Sequence, residues 1–218
     1  TGSVTVPART VAVFTQAAGD RIDPTVTPEP DPSAAQWVAS GDGRWWLRYP
    51  DGTYPANERV VRDGVTYSFD ANGWMKTGWQ VEDGAWRYYA PSGAMATGWT
   101  AVGGTWYYLD PNTGAMATGW LKDGDTWYYL HGSGAMATGW VNLSGAWFYL
   151  NSDGSMATGW VKLGGTWYYL TESGQMAIGW VKDGGSWYFC HPSGAMATGR
   201  VVIGGTAYTF DGSGRWVA

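Results

Sequence analysis

The sequence predicts an all-β fold, a solenoid of stacked β-hairpins with no significant helix, and three observations predict it. Gly-Trp pairs end at Trp79, Trp99, Trp120, Trp140, Trp160 and Trp180, at spacings of 20, 21, 20, 20 and 20 residues. A fixed period of this length is the mark of a repeat architecture. Seven residues after each Gly-Trp stands a second aromatic run, such as Trp106-Tyr107-Tyr108 or Trp127-Tyr128-Tyr129, with glycine-containing turn formers between. Aromatic residues flanking such a turn read as a β-hairpin. All seven methionines, Met75 to Met196, stand four residues ahead of the Gly-Trp position, in a second glycine-containing loop.

The elements follow in order. "SVTVPARTVAVF" (Ser3 to Phe14) alternates β-branched residues and predicts one strand, in a terminal unit spanning 1–16. Pro24, Pro28, Pro30 and Pro32 among Thr, Glu and Asp make 17–36 a semi-extended linker. The repeat module occupies 37–218. It opens with a degenerate hairpin around Trp45-Trp46, followed by Thr66-Tyr67-Ser68-Phe69. The Gly-Trp hairpins come next, with turns at Gly103-Gly104, Asp123-Gly124, Ser144-Gly145, Gly164-Gly165 and Gly184-Gly185. Side chains alternate along a strand, so Trp106 and Tyr108 share one face while Tyr107 and Leu109 share the other. One such hairpin buries too little to stand alone, whereas stacked hairpins cover one another. At the far end Arg200, Ala207 and Thr209 replace the two tryptophans and the tyrosine, and Trp216 takes the methionine's place. Terminal repeats, with a neighbour on one side only, diverge in this way.

Composition narrows the function. The 218 residues carry 18 acidic against 13 basic side chains, which argues against a nucleic-acid partner. No apolar run approaches membrane-spanning length, so no membrane insertion is expected. No signal peptide is recognised, and the chain reads as an excised fragment. The lone Cys190 excludes an internal disulfide and, standing where other repeats carry Leu, reads as a buried space-filler. The 17 Trp and 14 Tyr against 5 Phe point to binding surfaces, because each of these side chains has one apolar and one polar end. His131 and His191 fall in different repeats with no cluster around them, so no metal is expected. "GSGAMA" (Gly132 to Ala137) matches a dinucleotide fingerprint formally but opens no helix. No paired carboxylates or Ser/His/Asp set recurs, so neither catalysis nor a cofactor is expected.

Two tryptophans, a tyrosine and a methionine can surround a quaternary ammonium, a cation with no hydrogen to donate. Each aromatic face contributes about 0.5–2 kcal/mol and methionine closes the floor with an adaptable apolar wall. Three walls give a dissociation constant on the order of millimolar, and a row of such sites gains avidity of roughly 10²–10⁴ on a polyvalent surface. Aromatic ladders that stabilise the stack by packing alone fit the same residues, and so do flat surfaces that stack on sugar rings.

The segment "TGWLKDGDTWYYLHGSGAMATGW" (Thr118 to Trp140) resembles the choline-binding repeats of surface proteins from pneumococci and related Gram-positive bacteria. The likeness runs from Trp37 to Ala218, is most specific over Gly73 to Gly199, and extends to "GRWWLRYPDGTYPAN" (Gly43 to Asn57). It implies a left-handed superhelix with choline of teichoic acids, borne there as phosphocholine, held between consecutive hairpins by two Trp of one repeat and a Tyr of the next, with a Met nearby. Carried across, it implies five cages: Trp79, Trp86 and Tyr108 with Met95; Trp99, Trp106 and Tyr129 with Met116; Trp120, Trp127 and Tyr149 with Met136; Trp140, Trp147 and Tyr169 with Met156; and Trp160, Trp167 and Phe189 with Met176. The second aromatic after each run's Trp is chosen as third wall because alternation puts it on that tryptophan's face. A sixth site, Trp180 and Trp187, meets Thr209 and is expected weak or empty.

The resemblance thus implies a non-catalytic, secreted, cell-wall-associated module that anchors an attached enzyme. "VTVPARTVAVF" (Val4 to Phe14) resembles the last strand of the C-terminal β-sandwich of secreted α-amylase and pullulanase-type enzymes. That likeness implies a glycoside hydrolase as the parent protein, with binding of α-glucan (starch or glycogen) as the alternative function.

Overall fold

A computed structural model describes residue 31 and residues 34–217. The expected strand at Ser3–Phe14 and most of the proline-rich linker lie outside the described residues. The described chain is a succession of antiparallel pairs: β1 (Gln36–Ala39) with β2 (Trp45–Arg48), β3 (Arg59–Arg62) with β4 (Val65–Ser68), β5 (Gly78–Glu82) with β6 (Ala85–Tyr89), and β7 (Gly98–Val102) with β8 (Thr105–Leu109). They continue as β9 (Gly119–Asp123) with β10 (Thr126–Leu130), β11 (Gly139–Leu143) with β12 (Ala146–Leu150), β13 (Gly159–Leu163) with β14 (Thr166–Leu170), and β15 (Gly179–Asp183) with β16 (Ser186–Cys190). The last sheet has three strands, β17 (Gly199–Ile203), β18 (Thr206–Phe210) and β19 (Trp216–Val217). No α-helix occurs among the described residues.

Turn chemistry sets these hairpins. At Ser144-Gly145 both central residues have positive φ, 53° and 92°, the geometry whose twist matches that of the flanking strands. One expected turn moves by a residue. Asp123 pairs with Thr126 in the ladder, so the β9–β10 turn is Gly124-Asp125 and not Asp123-Gly124.

Each hairpin is a separate sheet, and no ladder runs from one to the next. Two other features join them. Phe69, just after β4, and the residue closing each later second strand, Tyr89, Leu109, Leu130, Leu150, Leu170, Cys190 and Phe210, form an inner row, each at most 2% exposed. Burying one such side chain is worth about 1.5–3 kcal/mol. Cys190 fills a leucine position as expected, and burial pushes its thiol pKa up to about 11. The second feature is a backbone bond: the N–H of each methionine reaches back one hairpin to the carbonyl of its second aromatic position. Met136 thus donates to Trp106 at 2.8 Å and Met156 to Trp127 at 2.8 Å.

Alternation then gives every hairpin two unlike faces. Trp99 pairs with Tyr108 and Ala101 with Trp106, so these four side chains form one face, while Thr100, Tyr107 and Leu109 form the other. In the stack, the tryptophan face of one hairpin meets the opposite face of the next. Tyr129, for example, packs with Phe148 and Leu150 of the following hairpin.

Candidate ligand cages

This front-to-back stacking decides which rings meet. Trp99 packs edge-on to Tyr128 of the next hairpin, with centroids 4.7 Å apart and planes at 62°. The same contact recurs between Trp79 and Tyr107 at 4.8 Å, Trp120 and Phe148 at 4.9 Å, Trp140 and Tyr168 at 5.0 Å, and Trp160 and Tyr188 at 4.8 Å. Within a hairpin the two tryptophans stand nearly perpendicular, at 89° for Trp120 and Trp127 and 87° for Trp140 and Trp147, with centroids 6.3 Å apart. Three mutually tilted rings therefore bound an open space, which a methionine closes. Cavities of about 320, 440 and 340 Å³ are lined by Trp99, Trp106, Tyr128 and Met136, by Trp120, Trp127, Phe148 and Met156, and by Trp140, Trp147, Tyr168 and Met176. Loop residues of the hairpin after that complete each rim: Ser152-Asp153, Glu172-Ser173 and Pro192-Ser193 respectively. One cage thus draws on three consecutive repeats.

Six of the expected tryptophans, Trp99, Trp106, Trp120, Trp127, Trp140 and Trp147, line these three cavities, and Trp79 and Trp160 make the same contact with the next hairpin, but the expected third walls and methionines do not group as predicted. Tyr108, Tyr129, Tyr149, Tyr169 and Phe189 are cross-strand partners of the first tryptophan of their own hairpins, 5.0–5.4 Å from Trp99, Trp120, Trp140, Trp160 and Trp180. They brace that indole from its own sheet. The wall from the next hairpin has the opposite parity, because a stack brings unlike faces together. The methionine, too, belongs one repeat later than expected. Met116 bonds to Trp86, Met136 to Trp106, Met156 to Trp127, Met176 to Trp147 and Met196 to Trp167. Met95 instead bonds to Thr66, beside no tryptophan pair.

One site was missed, and the sixth, expected to lack a third wall, has one. Trp37, Trp45, Tyr67 and Met75 line a cavity of about 350 Å³ in the first hairpins, with Trp37 and Tyr67 4.8 Å apart. Its sequence signal was a tryptophan pair eight residues apart instead of seven, set by the longer β1–β2 connection. The sixth is the Trp180–Trp187 site, whose third wall is Tyr208 and not Thr209. Tyr208 stands 5.0 Å from Trp180, and Trp216, in the methionine's place, adds a fourth ring 6.0 Å from both Trp180 and Tyr208. Thr209 pairs with Arg200 within its own sheet.

Between β3–β4 and β5–β6 the aromatic pattern lapses, and polar groups replace it. Arg59 and Ser68 face Asp83 and Glu82. The Glu82 carboxylate accepts hydrogen bonds from Ser68 Oγ at 2.5 Å, Tyr89 Oη at 2.7 Å and Lys76 Nζ at 2.9 Å. Arg59 pairs with Asp83 at 2.6 Å. Burial pulls the Glu82 pKa upward, but these hydrogen bonds and the Lys76 charge outweigh it and leave the pKa below its ordinary value. Burial, then the hydrogen bond to Glu82 and its charge, raise the Tyr89 pKa to about 12. This interface holds two hairpins together and offers no aromatic box.

Charge differs from cage to cage. Asp123 accepts a hydrogen bond from the Trp99 indole at 2.9 Å, and Asp183 one from the Trp160 indole at 3.1 Å. Lys162 Nζ lies 5.8 Å from the Trp167 ring centroid and Lys182 Nζ 5.6 Å from that of Trp187.

Comparison with known proteins agrees with this geometry. A family model described as a choline-binding repeat matches residues 58–97, 96–138 and 137–179, and one described as a cell wall binding repeat matches residues 178–196. Among solved structures, CbpJ of Streptococcus pneumoniae is 35% identical with a TM-score of 0.74, over 80% of this chain and 70% of that one. Choline-binding protein F of the same organism is 35% identical with a TM-score of 0.71, over 84% and 64%. The choline-binding domain of its CbpL is 33% identical with a TM-score of 0.61, over 85% and 97%. Comparison with curated protein sequences gives no match. Repeat pattern, hairpin stack and these matches together place the chain in the choline-binding repeat family, as a module of the cell-wall-binding kind.

Proposed function

We propose that the chain binds choline carried on wall teichoic acids, in the aromatic cages between successive hairpins, and so holds an attached secreted enzyme at the cell surface. The observation that carries this reading is the exposure of the second tryptophan of every cage. Trp86, Trp106, Trp127, Trp147, Trp167 and Trp187 are left 39–48% exposed, facing open space. A ladder built only for packing would bury them. Tilted rings with their faces toward one cavity, a methionine wall and no obligatory hydrogen-bond donor suit a trimethylammonium group. The similar choline-binding proteins of Streptococcus pneumoniae, one of them solved in the presence of a peptidoglycan analogue, support the same ligand and a wall location.

Each cage is weak, on the order of millimolar, and the row supplies the avidity. Titration with choline is expected to shift tryptophan fluorescence in that range, and maltooligosaccharides are expected to leave it unchanged. The chain should bind a choline or tertiary-amine resin and elute with free choline. Retention on starch with none on the amine resin would overturn the reading.

A further inference from the structure

The cages share their rings but not their charges. The strand residue opposite the second tryptophan lies on the same face as both indoles, and where it is Lys162 or Lys182 its ammonium lies 5.8 or 5.6 Å from that tryptophan's ring centroid. It is Ala101 opposite Trp106, Lys122 opposite Trp127, Asn142 opposite Trp147, Lys162 opposite Trp167 and Lys182 opposite Trp187, and the Trp120–Trp127 cage, which has Lys122, also carries Glu172 on its rim. The following hairpin supplies a second variable position, which sets Asp123 against Trp99 and Asp183 against Trp160. At the same strand position after Trp180 the residue is Ile203. The Trp99–Trp106 cage therefore holds two carboxylates, Asp123 and the rim residue Asp153, with alanine in the lysine position. The Trp160–Trp167 cage holds Lys162 with Asp183 to offset it. The Trp180–Trp187 cage holds Lys182 with an apolar residue in the aspartate's place.

A bare quaternary ammonium and the Lys182 ammonium compete for the same Trp187 indole and repel each other, so this lysine disfavours free choline. Esterified choline differs, because its phosphate oxygens sit two carbons from the quaternary nitrogen. With the nitrogen inside the rings, the anion falls at the mouth, within reach of Lys182. Compact, strongly hydrated and flexible, a lysine ammonium suits such a point contact.

Resting on the reading of these cages as choline sites, the geometry points to the Trp180–Trp187–Tyr208–Trp216 cage as a choline-phosphodiester site of wall polymer. There Lys182 reads the phosphate and Trp216 supplies a fourth aromatic wall in place of methionine. The cage at Trp99–Trp106 reads the cation alone. The array is thus graded along its length.

The test is fluorine NMR of the whole chain carrying fluorotryptophan, with the Trp187 and Trp106 resonances assigned by Trp187→Phe and Trp106→Phe. Choline and glycerophosphocholine are titrated separately. The Trp187 site is expected to favour glycerophosphocholine by about two- to fivefold, the worth of an exposed ion pair, and the Trp106 site is expected to show no such preference. Lys182→Gln should abolish the preference at Trp187 while leaving choline binding there intact or tighter. Trp216→Ala should weaken both ligands alike at Trp187. A preference for free choline at Trp187, no binding there, or a preference unchanged in Lys182→Gln would overturn the proposal. Failure of choline to titrate any cage would instead overturn the reading of the cages themselves. Retention on phosphocholine-bearing teichoic acid, lost with Lys182→Gln at limiting ligand density, supports the wall source. Equal retention on phosphatidylcholine vesicles would overturn it.

Discussion

Met136 donates its backbone N–H to the carbonyl of Trp106 at 2.8 Å, although thirty residues and a whole hairpin separate them. That bond does two jobs at once. It ties neighbouring sheets that share no ladder, and it delivers the Met136 thioether to the floor of the Trp99–Trp106 cage. The fold and the candidate site therefore rest on the same contact.

Met136→Ala should accordingly weaken choline at the Trp99–Trp106 cage by about two- to tenfold, the range of a sulfur–aromatic contact. Met116→Ala should leave that cage unchanged and weaken the Trp79–Trp86 cage instead. Site-resolved fluorine NMR with fluorotryptophan separates the two. The reverse pattern would restore the grouping in which each methionine serves the tryptophans just before it.

A parallel contrast concerns the third wall. Tyr128 faces Trp99 across the hairpin boundary, whereas Tyr129 braces Trp120 within its own sheet. Tyr128→Ala should remove one aromatic face from the Trp99–Trp106 cage, costing about 0.5–2 kcal/mol of binding there. Tyr129→Phe keeps ring and packing and should leave all cages as they are. Calorimetric choline titrations of the two variants, normalised to the wild-type chain, give the comparison.

These contrasts also show what the sequence could and could not reveal. The period, the hairpins and the paired tryptophans of the regular repeats were legible, because each is a local pattern that neighbouring residues enforce. Choosing between Tyr128 and Tyr129 was not legible from one hairpin. Alternation says which side chains share a face, but the cage forms where one face meets the opposite face of the next, so the correct wall has the parity that alternation rejects. The assignment of Met136 was hidden for the same reason, since its partner lies a full repeat back in the chain. The Trp37–Trp45 site escaped because its spacing departs from seven, and the third wall of the Trp180–Trp187 site was hidden because alternation points to Thr209 where the stack presents Tyr208.

Glycine in the loop before each methionine has a packing reason as well as a backbone one. Gly154 has φ of 84°, and a Cβ there would stand 2.3 Å from Met136 Sδ. Gly154→Ala therefore meets a left-handed backbone and a clash at once, and it should destabilise the chain by about 1–3 kcal/mol. Choline at the Trp99–Trp106 cage should weaken in the same variant because Met136 must move, while more distant cages keep their affinity. Thermal melts with and without choline, read beside site-resolved titration, check both effects. An unchanged melting temperature would show that the loop yields without strain.

The polar interface at Glu82 gives the chain a pH signature at both ends. The Glu82 pKa is depressed below its ordinary value of 4.5 in the folded chain, so its contribution to stability is fully present above that value and lost as pH falls through the folded value. The Tyr89 pKa is raised from 10.0 to about 12, so the neutral phenol contributes stability that is present below pH 10.0 and lost as pH rises toward about 12. Glu82→Gln keeps the shape of the side chain but removes the charge that holds Lys76 and raises the Tyr89 pKa. It should flatten the decline in stability below pH 4.5 and, by bringing the folded Tyr89 pKa back toward its ordinary 10.0, shrink the alkaline decline. Because the nearest aromatic cages lie in other interfaces, choline binding at neutral pH should be unchanged. Denaturant midpoints across the pH range for both chains provide the measurement. Parallel acid limbs for the two proteins would mean that other carboxylates, such as the hydrogen-bonded Asp110, Asp153 and Asp211 of the loops, carry the acid response instead.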